Sequence, residues 1–202
     1  MCLLISFLCK NKFPNQNELS RKIVHIGTGP IIPLAYVLEV NNIVAISISM
    51  IVTISLIINY KFRIIQSIEA IQRKSYGTIT YAISITLLLI LYWPEKASAI
   101  SAGVLVMSFG DGLAGLIGSN ISSPSWKVFG GRKSIAGTLT MIITTILIII
   151  GVIVASELPI NPLRIITLTA IAVLLEQISV WGLDNLSVPL AIAFCWEWVA
   201  LV

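Results

Sequence analysis

Long apolar stretches separated by short polar connections dominate the sequence. Four of these stretches approach the roughly 20 apolar residues that cross a bilayer as a helix, and they cover residues 40–58, 97–118, 136–155 and 162–181. Three further stretches are shorter or carry more polar atoms, at residues 23–38, 77–93 and 188–202. The pattern therefore predicts an all-α, polytopic membrane protein with about seven transmembrane helices in one bundle.

Composition excludes a soluble globular domain, since 57% of the residues are hydrophobic and only 11% are charged. We expect residues 1–202 to form one integral-membrane domain, with residues 1–16 as an interfacial or partial helix. The chain has nine residues before Lys10 and shows no cleavage-site pattern, so a secretory signal is not predicted. The three cysteines lack metal-ligand spacing, which argues against a zinc site or a disulfide framework.

The charges are distributed unevenly between the predicted connections. Thirteen Lys and Arg residues against nine Asp and Glu give a net charge of +4. When the chain is threaded through seven helices, only Lys96 and Arg164 fall on one side, and the other eleven cations fall on the opposite side. Such an excess marks the cytoplasmic side or its organellar equivalent. We therefore expect the N-terminus there, and interpret the charge as a topology signal rather than a nucleic-acid-binding patch.

Residues 107–140 contain the first group of candidate functional residues. Asp111 lies near the end of one apolar stretch and is followed by a basic connection and a small-residue entry into the next stretch, with Lys127, Arg132, Lys133, Ser134 and Gly137. A carboxylate beside a basic, glycine-containing loop is suited to hold Mg²⁺ and the phosphates that it bridges. The alternative is a small-residue seam between packed helices, with cations that only face the cytoplasm.

Further polar residues interrupt the other apolar stretches. His25, Tyr81, Glu176, Asp184 and Asn185 come from different predicted segments, yet the topology places all of them at the cytoplasmic end. Simpler roles remain open, since a lone His is often an interfacial residue and Asp184 or Asn185 is suited to cap the last helix. The convergence nevertheless predicts a polar site in the inner half of the bundle.

The chain contains five sequence blocks in a characteristic order: ELSRKIVHIGTG, RKSYGTITYAIS, SFGDGLAGLIG, GGRKSIAGTLTM and LEQISVWGLDNLSVPLAIAF. Together they resemble the polyprenol kinase family, which includes phytol, dolichol and CTP-dependent diacylglycerol kinases. The resemblance covers about residues 18–195 and is strongest to the phytol kinase branch. It implies a multipass membrane enzyme that phosphorylates a long-chain isoprenoid alcohol, expected to be phytol, with CTP or another nucleoside triphosphate as donor. Phytyl phosphate would then feed tocopherol or related prenyl-lipid synthesis.

The resemblance also implies which residues hold the phosphates and the metal. By position, the Gly-Asp pair of the family is Gly110-Asp111, and its Lys-Ser pair is Lys133-Ser134. Asp111 would ligate Mg²⁺, and Lys133, with Arg132 and the backbone near Ser134, would bind the phosphates. Many relatives carry a second acid four residues after the aspartate, where this chain has Gly115.

The Asp-Asn pair of the family corresponds to Asp184-Asn185. Asp184 would be either a second metal ligand or the base that accepts the alcohol proton, with Asn185 orienting it. Glu176 and His25 are the alternative bases. The sequence leaves open the chain length of the alcohol, the preferred nucleotide and the oligomeric state.

Three other classes of protein place polar groups in a membrane bundle. A phosphatidate cytidylyltransferase uses similar acids and cations but forms a CDP-lipid. A transporter usually binds its substrate near the midplane and contains internal repeats, and no repeat is readable here. A purely structural membrane subunit would leave the buried acids without a role.

Overall fold

The computed structural model describes residues 17–62, 76–129 and 131–198, with residues 17–21 and 197 described by their backbone alone. The described elements, in chain order, are α1 (Asn17–Thr28), α2 (Ile31–Val37), α3 (Asn42–Phe62), α4 (Gly77–Tyr92), α5 (Ala97–Leu105), a π-helical turn (Val106–Asp111), α6 (Gly112–Asn120), β1 (Ser125–Val128), β2 (Gly131–Ser134), α7 (Ile135–Ala155), α8 (Pro162–Ile178) and α9 (Asp184–Trp198). The interfacial or partial helix predicted for residues 1–16 lies outside the described residues, and so do residues 63–75.

Three helical units among the described residues are long and apolar enough to cross a membrane. They are α3, the continuous run Ala97–Asn120 that joins α5 to α6, and α7. Helix α4 is a shorter apolar helix of 16 residues. The prediction of a helical membrane protein is therefore confirmed, whereas the count of seven transmembrane helices is not.

The first predicted stretch is broken, which corrects the expectation of one helix over residues 23–38. Helix α1 ends at Thr28 and α2 begins at Ile31. The break falls at Gly29-Pro30 because proline has no backbone N–H and its ring clashes with the preceding helical turn. Gly29 also lies so close to Ser108 that a Cβ at this position would overlap the Ser108 hydroxyl.

The basic connection contains a β-hairpin, where the sequence predicted a loop. Strand β1 pairs antiparallel with β2, so that Trp126 lies opposite Lys133 and Lys127 opposite Arg132. Helix α7 begins directly after β2, and the Ser134 hydroxyl accepts a hydrogen bond of 3.2 Å from the Gly137 backbone N–H. This N-cap fixes the hairpin at the start of the helix.

Helix α5 lies at the centre of the bundle and packs closely against α9. Its residues are small, and Ala99, Ala102 and Gly103 are fully or almost fully buried. A Cβ at Gly103 would lie 2.5 Å from the Pro189 carbonyl oxygen, so the two backbones are in contact there. Small residues at such crossings allow helices to approach in a membrane, where van der Waals packing drives association.

We expect Gly103→Ala to lower the melting temperature in detergent by several degrees. The added methyl group meets backbone rather than a flexible side chain, and overpacking of this kind costs about 1–3 kcal/mol. The matched control is Gly151→Ala on α7, where nothing lies within 4 Å of the new Cβ. The control variant should melt at or above the wild-type temperature because alanine favours helix. Equal melting temperatures for the two variants would show that the contact between α5 and α9 can accommodate the added methyl group.

Candidate active site

Asp111 lies at the junction of the π-helical turn and α6, between two glycines. A Cβ at Gly110 would lie 2.7 Å from Met141 Sδ, and one at Gly112 would lie 2.5 Å from Ile26 Cγ1. The glycines therefore let α7 and α1 pack tightly on either side of the aspartate. A π-helical turn is a rare local widening of a helix that frequently occurs at functional sites.

Lys22, on α1, is the nearest cation to Asp111. Its ammonium donates to Asp111 Oδ2 at 2.8 Å and to the Asp111 carbonyl oxygen at 2.9 Å. Only 5% of the Lys22 side chain is exposed, against 17% for Asp111. A Cβ at Gly115 would lie 2.5 Å from Lys22 Nζ, so the absence of a side chain at position 115 makes room for this lysine.

His25 lies on the same side of α1 and connects the aspartate to α4. Its Nε2 is 3.9 Å from Asp111 Oδ2, and its ring packs against Tyr81 with the two centroids 4.3 Å apart. The Tyr81 hydroxyl is buried beside the side chains of Thr28 and Ser108. The structure thus brings His25, Tyr81 and Asp111 together.

A second lysine–carboxylate pair joins the hairpin to α8. The Lys133 ammonium donates one hydrogen bond to Oε1 of the Glu176 carboxylate and another, of 2.6 Å, to the Glu176 carbonyl oxygen. Gln177 donates to Glu176 Oε2 at 2.9 Å and to the Thr138 hydroxyl at 2.8 Å. Because both carboxylate oxygens of Glu176 are engaged, this side chain is held in one orientation.

Asp184 opens α9 and lies within the electrostatic field of both pairs. Burial, followed by the charge of Asp111, raises the pKa of Asp184 to about 6, and the Lys133 ammonium opposes this shift. The Asp184 backbone N–H donates to the Ser179 hydroxyl at 2.6 Å. Asp184 Oδ1 accepts a hydrogen bond of 3.0 Å from the Asn185 backbone N–H, as an acid in a first helical turn can.

Asn185 is buried beside this carboxylate, with 4% of its surface exposed. Its side-chain Oδ1 has no hydrogen-bond partner among the described residues. Burying an amide oxygen without a partner costs about 1–3 kcal/mol. A buried acceptor without a partner is the arrangement expected where a ligand or a water molecule supplies the missing hydrogen bond.

The donor set is suited to Mg²⁺ bound together with substrate phosphates. Asp111 and Asp184 are close enough for one charge to perturb the other, and the Asn185 oxygen is a further hard ligand atom. Among the residues that the structure describes, no three His, Cys, Asp or Glu side chains converge as a metal cage. Mg²⁺ usually takes one or two protein carboxylates and completes its shell with waters and phosphate oxygens, so the residues fit that mode.

Two of the predicted phosphate-binding cations lie away from these carboxylates. Lys127 is exposed on β1, and Arg132 donates to the Ser125 hydroxyl at 3.0 Å on the solvent side of the hairpin. Within the described ranges, neither contacts a carboxylate of the cluster.

The predicted small residues Ser134 and Gly137 form part of a helix seam. A Cβ at Gly137 would lie 3.1 Å from the Ala114 carbonyl oxygen, and one at Gly118 would lie 2.8 Å from Ser134 Oγ. These contacts join α6 to α7. The seam that was the alternative to phosphate binding is therefore present, and it adjoins the lysine–carboxylate pairs.

Lys22 is the residue of the cluster that sequence reasoning did not single out. It was counted only among the cations that set the topology. Its spacing offered a signal, since Lys22 and His25 are three residues apart and so share one face of α1. Gly115 offered a second signal. Many relatives have an acid at this position, one helical turn after the aspartate, and its absence leaves space for a cation.

Comparison with known proteins gives two relatives. The chain is 36% identical to a phytol kinase of Synechocystis sp. over 180 residues, which covers 87% of this chain and 77% of that protein. It is 25% identical to a probable chloroplastic phytol kinase 1 of Glycine max over 202 residues, covering 87% of this chain and 65% of the soybean protein. No protein-family profile matches the chain, and no solved structure matches it.

The fold, the charged cluster and these relatives together define a class. The protein is a helical membrane kinase, a phosphotransferase with an alcohol acceptor. It belongs to the phytol kinase family. The resemblance drawn from the five sequence blocks is thereby confirmed.

Proposed function

We propose that the protein transfers the γ-phosphoryl group of CTP, or of another nucleoside triphosphate, to phytol. The observation that carries the proposal is the convergence of two lysine–carboxylate pairs, Lys22–Asp111 and Lys133–Glu176, on Asp184. Phosphoryl transfer requires positioning and charge neutralisation more than covalent chemistry by the protein. A cluster of two cations and three carboxylates at one end of the bundle supplies both.

The two lysines act as phosphate-binding groups in this proposal. Each is nearly buried and held by a carboxylate, so its side chain is already ordered before the nucleotide arrives. Binding of the triphosphate exchanges part of these contacts, because the phosphate oxygens compete for the ammonium protons. Lys22 approaches from α1 and Lys133 from the hairpin, so the phosphate chain would lie between them.

Asp111 would hold Mg²⁺ together with the phosphates, and the Asn185 oxygen, which has no partner among the described residues, is the further candidate ligand atom. The ion supplies neutralisation of the charge on the β- and γ-phosphate oxygens. Lys22 restrains the Asp111 carboxylate through its hydrogen bond to Oδ2. The lack of a second acid at position 115 is compatible with this mode, since Mg²⁺ can be held by a single protein carboxylate when waters and phosphate oxygens complete its shell.

Asp184 is the proposed proton acceptor for the alcohol. The phytol oxygen forms a bond to the γ-phosphorus, the bond from that phosphorus to the β–γ bridging oxygen breaks, and the nucleoside diphosphate leaves. The alcohol proton passes to Asp184, whose raised pKa of about 6 lies closer to neutrality than that of an ordinary aspartate. Glu176 is less suited because Lys133 and Gln177 engage both of its oxygens.

The expected topology supports the meeting of an aqueous nucleotide with a lipidic alcohol. Seven crossings with the N-terminus on the cytoplasmic or stromal side would place the cluster at that membrane interface. The isoprenoid tail would enter between helices from the bilayer, leaving its hydroxyl at the polar end. Phytyl phosphate formed there would be available for tocopherol or related prenyl-lipid synthesis.

The proposal is tested with purified protein in lipid nanodiscs, Mg²⁺ and a panel of acceptors and donors. We expect phytyl phosphate and CDP from phytol and CTP, with lower turnover on dolichol and diacylglycerol. A cytidylyltransferase would instead release pyrophosphate from phosphatidate and CTP. A lack of phosphorylated product with every alcohol and every nucleoside triphosphate, in protein that melts cooperatively, would refute the kinase assignment for this chain.

We expect Asp184→Ser to reduce turnover at least about a hundredfold while the melting temperature stays close to wild type. Serine caps a helix about as well as aspartate, so a capping role alone would be preserved. Asn185→Ala should show a smaller loss, because water partly replaces an orienting amide. Turnover and melting are measured on the same preparations. Full activity of Asp184→Ser would remove this residue from the site and leave His25 and Glu176 as the bases to test.

A further inference from the structure

Arg164 is a buried cation at the end of the bundle away from the candidate active site. It is the third residue of α8, and only 3% of its surface is exposed. Its guanidinium lies over the ring of Trp196, with 5.4 Å from Cζ to the ring centroid. The Nε and Nη1 atoms are buried and have no hydrogen-bond partner among the described residues.

This arrangement leaves the charge of Arg164 without a described counterion. Arginine keeps its charge in proteins, so it cannot escape burial by losing a proton. The nearest acid on the connection before α8 is Glu157, which is exposed, and Glu95 in the turn before α5 is also exposed. Neither forms an ion pair with Arg164. A stacked ring compensates only part of the lost hydration, and the guanidinium N–H groups still require an acceptor.

The position along α8 separates Arg164 from the chemistry. Glu176 lies twelve residues further on, about 18 Å along the helix at 1.5 Å per residue. The neighbours Leu163 and Ile166 are 54% and 66% exposed, so this end of α8 presents an apolar surface. The sequence predicts that residues 162–181 cross the bilayer, and that crossing would place Arg164 close to the lipid headgroups of the opposite leaflet.

We propose that Arg164 binds the oxyanionic headgroup of a membrane lipid, the phosphate of phosphatidylglycerol being the probe chemistry. The Asn161 side chain already accepts from the Leu163 and Arg164 backbone N–H groups at 2.9 and 3.3 Å. The backbone of the first turn is therefore satisfied, and the guanidinium is the remaining donor. Trp196 covers one face of the guanidinium plane, and Nε and Nη1 are buried, so a phosphate would approach the guanidinium from the Nη2 end. The site lies outside the proposed reaction and does not depend on it.

The test compares nanodiscs of phosphatidylcholine alone with nanodiscs that also contain phosphatidylglycerol. Native mass spectrometry measures which lipid stays bound, and melting temperature is recorded in parallel. For wild type we expect about a tenfold preference for phosphatidylglycerol, equivalent to 1.4 kcal/mol, and a higher melting temperature in its presence. Arg164→Gln should lose the preference, and Arg164→Lys should keep part of it. In phosphatidylcholine alone, Arg164→Gln should melt at or above wild type, because the uncompensated charge is gone.

The matched control is Lys96→Gln, which removes a cation from the same end of the bundle and should leave the lipid preference unchanged. Wild type that shows no preference for phosphatidylglycerol would overturn the proposal without any variant. An unchanged preference in Arg164→Gln would do the same. If inorganic phosphate raises the wild-type melting temperature as much as phosphatidylglycerol does, the site takes a soluble oxyanion and the assignment to lipid is wrong.

Discussion

Asp111→Asn is expected to lower phytol phosphorylation at least about a hundredfold. This factor corresponds to the roughly 2.7 kcal/mol lost with a single electrostatic contact to a transition state. The substitution preserves the size of the side chain and removes its charge, so the close packing of Gly110 and Gly112 against their neighbours is retained. It also leaves the Lys22 ammonium, 5% exposed, without its counterion. Turnover and melting temperature must therefore be measured together.

A double-mutant cycle separates the two effects. Lys22→Met alone and Asp111→Asn alone should each destabilise the protein, because breaking a buried pair costs about 3–5 kcal/mol. The double variant removes both charges and should recover much of the melting temperature. If the pair is only structural, activity should return with stability. We expect stability to return and activity to stay low. Near-normal turnover in the double variant would show that Asp111 contributes only to packing.

Lys133→Gln is the second substitution with a large expected effect. We expect at least about a hundredfold loss of kcat/KM for the nucleotide, since a charge-assisted contact to a phosphate is removed in a partly dehydrated site. Glu176 keeps its Gln177 hydrogen bond, so its carboxylate remains partly restrained. Lys133→Arg should retain part of the activity, because the charge is preserved.

The control for Lys133→Gln lies on the partner strand of the same hairpin. Lys127 is exposed and lies opposite Arg132, and Lys127→Gln removes the same charge without touching the carboxylates. Little change in kcat/KM is expected. Similar losses of kcat/KM in both variants would indicate that the hairpin attracts the nucleotide through its overall positive charge, and that no individual lysine binds the phosphates.

The membrane character of the fold was readable from the sequence because apolar length alone determines which helices can span a bilayer. Residues 97–118 and 136–155 were placed within a few residues of the helices observed. The break at Gly29-Pro30 has visible causes in the glycine and the proline, yet the apolar pattern predicted a single stretch over residues 23–38. The hairpin was missed because its strands are four residues long and polar. The Gly130-Gly131 dipeptide, whose second residue begins β2, was the available signal.

The sequence predicted that the polar residues of the site lie at one end of the bundle, but it did not predict the pairing between them. Positive-inside topology placed His25, Asp111, Glu176 and Asp184 at one end without any knowledge of contacts. Which carboxylate takes which lysine depends on the rotation of each helix about its axis, and apolar periodicity fixes that rotation poorly when helices are apolar on all sides. The Lys22–Asp111 pair joins residues 89 positions apart and is set by packing alone.

The π-helical turn places a constraint on chain length within one segment. A π-helical turn corresponds to one extra residue in an otherwise regular α-helix. The extra residue changes the direction in which every later residue of the helix faces. Each residue of an α-helix rotates the chain by about 100°. Deleting one residue between Val106 and Asp111 would therefore swing Gly115 and Gly118 away from Lys22 and α7 even if every remaining side chain were kept. Across variants of this protein, substitutions in that turn should be tolerated more often than insertions or deletions.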